Sequence, residues 1–194
     1  MIFSLFPINN FPNGIFAFVF SLLFIIMNLF ELRILLRNRN KGDDKYSLRI
    51  VLFGIWVPLI VMILLSFTEI GRINNYYVNY FGLFILIIGF ILRQYSIATL
   101  GKFFVPVVRK HEGQKIIKQG PYKLIRHPSY TGLFLELLGV SLIFANYISF
   151  LLVLLLFLPS IGYRIYVEEK FLVKNFKDYR EYMKETWKLI PLVY

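Results

Sequence analysis

The sequence contains no cysteine and only two histidines among its 194 residues. Without cysteine, the chain can form neither disulfides nor thiolate-ligated metal sites, and it has no thiol nucleophile. The two histidines lie far from any acidic cluster, and His111-Glu112 lacks the second histidine of a zinc-binding helix. We therefore predict no metal site. A glycine-rich phosphate loop and a nucleophilic serine motif are also missing from the sequence.

Acidic residues are scarce, because 11 Asp and Glu stand against 22 Lys and Arg, for a net charge of +11. A basic surface can bind nucleic acid, but these charges flank long apolar segments. Charges in such positions set membrane topology and contact anionic lipid headgroups. We therefore predict membrane lipids as partners and no nucleic acid.

Apolar residues are abundant, at 58% of the chain, and they occur in blocks rather than at amphipathic spacing. A helix of about 20 apolar residues crosses the hydrocarbon core of a bilayer. Three blocks reach that length, and two shorter ones, separated only by Asn146, predict a tight helical hairpin. The prediction is an all-α integral membrane protein of about five transmembrane helices, from Ile15 to Leu36, Leu48 to Phe67, Val78 to Leu100, Tyr130 to Ala145 and Tyr147 to Tyr163. The first block is too long for a signal peptide and has no basic region before it.

The basic residues concentrate in the first loop, the third loop and the C-terminal tail, whereas the second loop has only Arg72. With five helices, all three basic segments lie on one face. The positive-inside rule makes that face cytoplasmic, with the N-terminus outside and the C-terminus in the cytoplasm.

We expect a single domain over residues 1–194, with a three-helix scaffold at 1–100 and the functional site at 101–194. The third loop, Gly101 to His127, is the longest polar stretch, and loops held by rigid helices commonly carry sites. Gly120-Pro121 predicts a turn, and Pro128 suits the first turn of the fourth helix. Glu168 to Trp187 has near-helical apolar spacing, which predicts an amphipathic cytoplasmic helix on the membrane face or over the site.

Two polar clusters frame the predicted hairpin. One is Arg126-His127 at its start, and the other is Arg164 with Glu168-Glu169 where the last apolar segment ends. Arg164 and Glu168 are four residues apart and share a helix face, so a local ion pair would explain them. Alternatively, the arginine clamps a carboxylate, and the glutamate accepts hydrogen bonds from ribose hydroxyls or an ammonium group.

Two further residues stand out in the apolar segments. Glu136 is acidic inside the fourth segment, so it should face the bundle or a cavity, with Arg93 as a possible partner. A substrate role and a structural pair both remain open for Glu136. Pro159 removes a backbone hydrogen bond and predicts a kink just before Arg164, which either opens a cleft or packs against a neighbour.

An ordered set of residues stands out in the C-terminal part of the sequence: Gly120-Pro121-Tyr122, Arg126-His127-Pro128-Ser129-Tyr130, Gly132, Asn146, Arg164, Glu168-Glu169, Phe176, Tyr179, Tyr182 and Ile190-Pro191. This set resembles the isoprenylcysteine carboxyl methyltransferase family, which belongs with the membrane phospholipid N-methyltransferases. The resemblance covers about Gln114 to Pro191, and the first three helices match only in being apolar.

The resemblance implies S-adenosyl-L-methionine as the methyl donor, in a cytoplasm-facing pocket formed by the third loop and the last two helices. It implies that Arg164 faces the carboxylate of a lipophilic acceptor, such as a prenylated cysteine, which arrives from the bilayer. The cofactor-binding residues implied are Gln114, Lys115, Ile116, Ile117, Tyr122, His127, Pro128, Ser129, Tyr130 and Glu168.

The sequence departs from the family pattern at Lys177, where a glycine is usual, at Glu136, and in having only five helices. Other readings therefore stay open. An amine acceptor such as an aminophospholipid would give Glu136 a catalytic role. A second alternative is a membrane reductase that uses NADPH, because some sterol reductases have a C-terminal architecture similar to that of this family. A third is a small membrane scaffold without enzymatic activity, which would need no cofactor.

Overall fold

A computed structural model describes residues 46–104 and 115–191, together with Leu22, Ile25 and Leu29, which are helical. The rest of the first predicted span and the first loop lie outside the described residues. So do residues 105–114 of the third loop, including Gln114.

All the secondary-structure elements in the described residues are helices. Its helices are α1 (Tyr46–Ser66), α2 (Tyr76–Leu100), α3 (Pro128–Ile143), α4 (Tyr147–Asn175) and α5 (Tyr179–Glu185), with short 3-10 turns at Gly101–Phe103 and Gly120–Lys123. Within residues 46–104 and 115–191, β pairing is limited to two isolated bridges. The predicted all-α class is confirmed.

Three of these helices, α1, α2 and α4, are long and apolar enough to cross a membrane, whereas α3 is apolar but has only 16 residues. Many large apolar side chains on α1 and α2 are exposed, as expected for surfaces that face lipid. The chain is therefore an integral membrane protein, and the predicted starts of the helical hairpin at Pro128 and Tyr147 agree with the structure.

The end of the hairpin differs from the prediction. The sequence predicts that the last span ends at Tyr163 and that a separate tail helix covers Glu168 to Trp187. Instead α4 runs on to Asn175, because Arg164, Ile165 and Glu169 are buried on one face and continue its helical packing. The backbone becomes extended at Phe176, and only the short α5 follows.

Pro159 distorts α4 by widening it. Residues Val153–Phe157 form a π-helical segment immediately before the α-helical geometry resumes at Leu158. Proline has no N–H to donate to the carbonyl four residues earlier, which here belongs to Leu155. A π-helical turn is one of the known ways in which a helix accommodates a missing backbone hydrogen bond.

Helices α2 and α3 approach each other closely at two glycine pairs. A Cβ atom built on Gly89 would lie 2.7 Å from the backbone nitrogen of Glu136, and one built on Gly139 would lie 2.5 Å from that of Leu86. The reciprocal contacts at Gly82 and Gly132 are equally short. Small residues let two membrane helices pack backbone to backbone, where van der Waals contact is the main source of association.

The turn between α3 and α4 is fixed by Asn146. Its side-chain oxygen accepts hydrogen bonds from the backbone N–H groups of Ile148 and Ser149, at 3.0 and 3.1 Å, and so caps α4. Its amide nitrogen donates to the carbonyl of Ile70, at 2.7 Å. The same residue therefore closes the hairpin and ties it to the loop between α1 and α2.

Candidate functional site

A cavity of about 890 Å³, counted with its open mouth, lies where the end of α2, the start of α3 and the C-terminal half of α4 meet the third loop and the tail. Aromatic side chains form much of its wall, and charged groups project into it. Its lining comprises Leu100, Phe103, Phe104, Lys115, Ile116, Ile117, Tyr122, Arg126, His127, Ser129, Tyr130, Arg164, Glu168, Phe171, Leu172, Phe176, Tyr179 and Tyr182.

The structure brings most of the sequence-predicted residues to this cavity. Residues 115–117 approach it from the loop, and Arg164 and Glu168 from α4. The others that line it are Tyr122, His127, Ser129 and Tyr130.

Three predicted residues stand apart from this group. Gln114 lies outside the described residues. Pro128 is buried as the first residue of α3, as the sequence predicts, and is not part of the described lining. Glu136 is also buried and absent from that lining, because it lies about two turns further along α3. Its substrate role stays a prediction without support from this cavity.

Tyr130 joins the two functional groups of α4. Its hydroxyl donates to the carboxylate of Glu168, with 2.8 Å between the oxygens. The same hydroxyl accepts from Nε of Arg164, at 3.3 Å. Tyr130 of α3 thus bridges Arg164 and Glu168, which the sequence predicts as a local pair. This contact holds both charged groups at the cavity.

Arg126, which lines the cavity, forms a buried ion pair with Glu169. Nε of Arg126 lies 2.8 Å from Oε1 of Glu169, and Nε2 of His127 lies 3.3 Å from the same oxygen. The two adjacent glutamates therefore have different tasks. Glu168 points into the cavity, whereas Glu169 holds the Arg126-His127 pair at the start of α3.

The tail covers the cavity through hydrogen bonds to the third loop. Backbone N–H groups of Arg126 and His127 donate to the carbonyls of Trp187 and Lys188, at 2.7 and 3.1 Å. The Arg126 guanidinium also donates to the carbonyl of Met183, at 2.9 Å. The tail therefore packs against the loop beside the cavity, and one short helix stands in place of the long one that the sequence predicts.

Buried tyrosines supply neutral hydrogen-bonding groups to this region. Burial raises the pKa of Tyr122 and of Tyr179, and the negative charge of Glu168 raises both further. Burial likewise raises the pKa of Tyr182, whose hydroxyl donates to the carbonyl of Tyr122, at 2.6 Å. All three phenols therefore remain protonated near neutral pH.

Arg93 supports the cavity from α2. Its side chain is buried, and Nη1 donates to the carbonyl of Ser129, at 2.7 Å. Because Ser129 lines the cavity, this contact helps to set the start of α3. The sequence does not predict this contact, and the suggested pair of Arg93 with Glu136 stays a prediction.

Sequence reasoning also missed part of the cavity wall. Leu100, Phe103 and Phe104 come from the end of α2 and the turn after it, where the apolar pattern gives no reason to separate lining from lipid-facing residues. Ser47, at the start of α1, was missed as well. Its hydroxyl accepts from Nη1 of Arg164, at 2.5 Å, across 117 residues of sequence.

The chemistry of the cavity suits a ligand with mixed character. A carboxylate and a guanidinium lie near each other, and aromatic rings form much of the wall, as in many small-molecule sites. In the described part of the chain, no three His, Cys, Asp or Glu side chains lie close enough together to hold a metal ion.

The chain is similar to membrane methyltransferases. Residues 82–174 match the model of the isoprenylcysteine carboxyl methyltransferase (ICMT) family. A probable protein-S-isoprenylcysteine O-methyltransferase of Oryza sativa subsp. indica is 32% identical over 121 residues, covering 61% of this chain and 63% of the rice protein. Protein-S-isoprenylcysteine O-methyltransferase A of Arabidopsis thaliana is 30% identical over 146 residues, covering 71% of this chain and 73% of its own length.

A solved structure gives the same picture of the fold. The eukaryotic intramembrane Ras methyltransferase ICMT superposes with a TM-score of 0.56 and 25% sequence identity, covering 81% of this chain. The chain spans 63% of the rice protein's length and 56% of that solved chain. The match to the family model includes α3 and nearly all of α4, and so contains the Tyr130, Arg164 and Glu168 cluster.

Proposed function

Because this chain belongs to the isoprenylcysteine carboxyl methyltransferase family, we propose that it transfers a methyl group from S-adenosylmethionine to a lipophilic carboxylate at the membrane surface. The observation that carries this proposal is the cluster in which Tyr130 links Glu168 to Arg164. One cavity thereby holds a hydrogen-bond acceptor suited to a nucleoside and a cation suited to a carboxylate.

The residues of the cavity fit S-adenosylmethionine. Glu168 can accept from ribose hydroxyls, and rings such as Phe104, Phe171 and Tyr179 offer apolar faces to an adenine. His127 and Lys115 lie in the same lining and provide polar contacts for the remaining groups. When bound, this cofactor supplies an activated methyl group on a sulfonium.

The acceptor that we propose is a carboxylate attached to an apolar chain, as in a prenylated cysteine. Arg164 can bind a carboxylate through two parallel N–H donors, a geometry that lysine cannot reproduce. The neighbouring residues Tyr163 and Tyr166 are exposed on α4, as aromatic residues at a membrane interface commonly are. A head group held by Arg164 would therefore keep its hydrocarbon chain near lipid.

The tasks of the protein in this reaction are binding, orientation and exclusion of water. A carboxylate is already ionised at neutral pH, so no general base is required of the chain. Arg164 would hold the acceptor, Glu168 the donor, and Tyr130 the spacing between them. Correct placement of two reactants is worth on the order of 7–11 kcal/mol of a barrier in favourable cases.

We further propose five membrane spans, with the N-terminus outside and the C-terminus in the cytoplasm. The asymmetry of basic residues supports this arrangement, because Lys115, Lys118 and Lys123 flank the cavity while the turn at the other end of α2 has only Arg72. The cavity would then open to the cytoplasm, where S-adenosylmethionine is present.

Binding and turnover of the detergent-purified protein test this function. We expect S-adenosylhomocysteine to bind in calorimetry and NADPH not to bind. With labelled S-adenosylmethionine, we expect label to enter the methyl ester of an N-acetylated S-prenylcysteine. Labelling of an aminophospholipid instead would establish the amine acceptor, and binding of NADPH without S-adenosylhomocysteine would establish the reductase.

A further inference from the structure

We infer that Ser47 is a positioning residue for the acceptor site, so that α1 sets the orientation of the arginine that recognises the carboxylate. This inference rests on the proposed function. Ser47 lies at the second position of α1, in the part of the chain that the sequence suggests is scaffold alone. Its side chain is fully buried, and its hydroxyl accepts from Nη1 of Arg164.

A buried guanidinium needs hydrogen bonds, because an unsatisfied charged group in an apolar environment is costly. Arg164 is 2% exposed, and two of its nitrogens are fixed by hydroxyls on different helices. Nη1 donates to Ser47 on α1, at 2.5 Å, and Nε donates to Tyr130 on α3, at 3.3 Å. Two bonds from two atoms of a planar group define the direction of its plane as well as its position.

The start of α1 is itself anchored against α4 near this contact. The ring of Tyr46 meets the ring of Tyr163 edge-on, with 6.5 Å between their centres. Two turns further along α1, a Cβ atom on Gly54 would collide with the side chain of Ser160, so the two helices are in close contact there. Ser47 is therefore held at a fixed depth relative to Arg164.

The consequence for the reaction is specificity for a carboxylate. Bidentate binding of a planar acceptor requires the guanidinium plane to be set in advance. Without the Ser47 hydroxyl, the charge of Arg164 remains but one of the contacts that set the direction of its plane is lost. Discrimination between a carboxylate and a neutral amide of the same shape should then fall, while the donor side, held by Glu168, should be preserved.

The test compares Ser47→Ala with Ser141→Ala. Ser141 is equally buried, but its hydroxyl donates to the carbonyl of Leu138 on α3, away from the site. We expect Ser47→Ala to lower kcat/KM for an N-acetylated S-prenylcysteine about tenfold and to weaken its preference over the carboxamide analogue as an inhibitor. The Kd for S-adenosylhomocysteine should stay within twofold, and Ser141→Ala should resemble the wild type.

Ser47→Thr and Ser47→Val complete the test, because the two side chains have the same shape and only threonine keeps the hydroxyl. Threonine should retain most of the activity and valine should behave like alanine. Equal activity of the threonine and valine variants, or a loss of S-adenosylhomocysteine binding in Ser47→Ala, would overturn the positioning role. If Arg164→Ala leaves turnover unchanged, the proposed carboxylate site itself fails. If Arg164→Ala lowers turnover but the Ser47 substitutions leave turnover and acceptor preference unchanged, the carboxylate site stands and only the positioning role of Ser47 is wrong.

Discussion

The most informative single residues are those to which we assign the proposed methyl donor and the proposed acceptor. Tyr130 contacts both Glu168 and Arg164, so the two proposed binding sites are adjacent but depend on different side chains. Substitutions on either side of Tyr130 should therefore affect different measurements.

On the donor side, we predict that His127→Ala and Glu168→Ala each weaken S-adenosylhomocysteine binding at least tenfold, or about 1.4 kcal/mol. Both side chains line the cavity, and the carboxylate of Glu168 is positioned by Tyr130. Calorimetry on the folded variants measures the change, with Ser141→Ala as the control. Unaltered dissociation constants in both variants would remove these residues from the cofactor site.

On the acceptor side, Arg164→Lys should lower turnover of the prenylcysteine while changing the Kd for S-adenosylhomocysteine little. Lysine keeps the charge but loses the planar fork that can hold a carboxylate and reach both Ser47 and Tyr130. Methyl transfer and cofactor binding are measured on the same preparation. If cofactor binding is lost and turnover at saturating cofactor is spared, the arginine serves the donor instead.

At the scale of elements, the α2–α3 contact holds the helix whose first turn lines the cavity. Gly89 faces the backbone of α3 at Glu136 and Gly132, one to two turns from the cavity-lining residues at the start of that helix. An added methyl group has no flexible side chain to displace there and must push the two backbones apart.

We therefore predict that Gly89→Ala destabilises the protein by about 1–3 kcal/mol, which is the usual cost of overpacking. Gly162→Ala is the matched control, because a Cβ atom at that position of α4 meets nothing within 4 Å. In α4, alanine in place of Gly162 should raise the free energy of unfolding by up to about 1 kcal/mol, because its helix propensity is higher than that of glycine. Thermal unfolding in detergent compares the two variants, and equal melting temperatures would contradict backbone-to-backbone packing at Gly89.

Sequence patterns located the elements better than they located the contacts. The starts of α3 and α4 follow from Pro128 and Asn146, because proline suits the first turn of a helix and asparagine suits its N-cap. The extension of α4 beyond Tyr163 could not be predicted from the sequence, because Arg164 and Glu169 are charged and look solvent-exposed. They are buried because Ser47 and Arg126, from distant segments, bind them. The contact of Ser47 with Arg164 is a meeting of distant segments, which no local pattern encodes.

At the scale of the whole molecule, the orientation in the membrane decides whether the cavity meets cytoplasmic cofactor. We predict that a reporter fused after Tyr194 is active only in the cytoplasm, since the basic residues concentrate around the cavity and in the tail. A reporter inserted at Asn74, an exposed residue between α1 and α2, should show the opposite pattern. Activity of the C-terminal fusion on the outer side would refute the five-span arrangement.

The wide turn at Val153–Phe157 has a consequence for how this chain can vary in evolution. Each residue of an α-helix advances the side chains by about 100°, so the π segment sets the phase of everything after it relative to everything before it. Leu155 is exposed, and many residue types would serve at its position. The hydrogen bond of a π turn spans one residue more than that of an α turn, so deletion of Leu155 would convert the segment to ordinary α-helix and leave Arg164 and Glu168 facing the cavity. Homologous sequences should therefore tolerate the loss of one residue in this turn far more readily than the loss of one residue between Leu158 and Arg164.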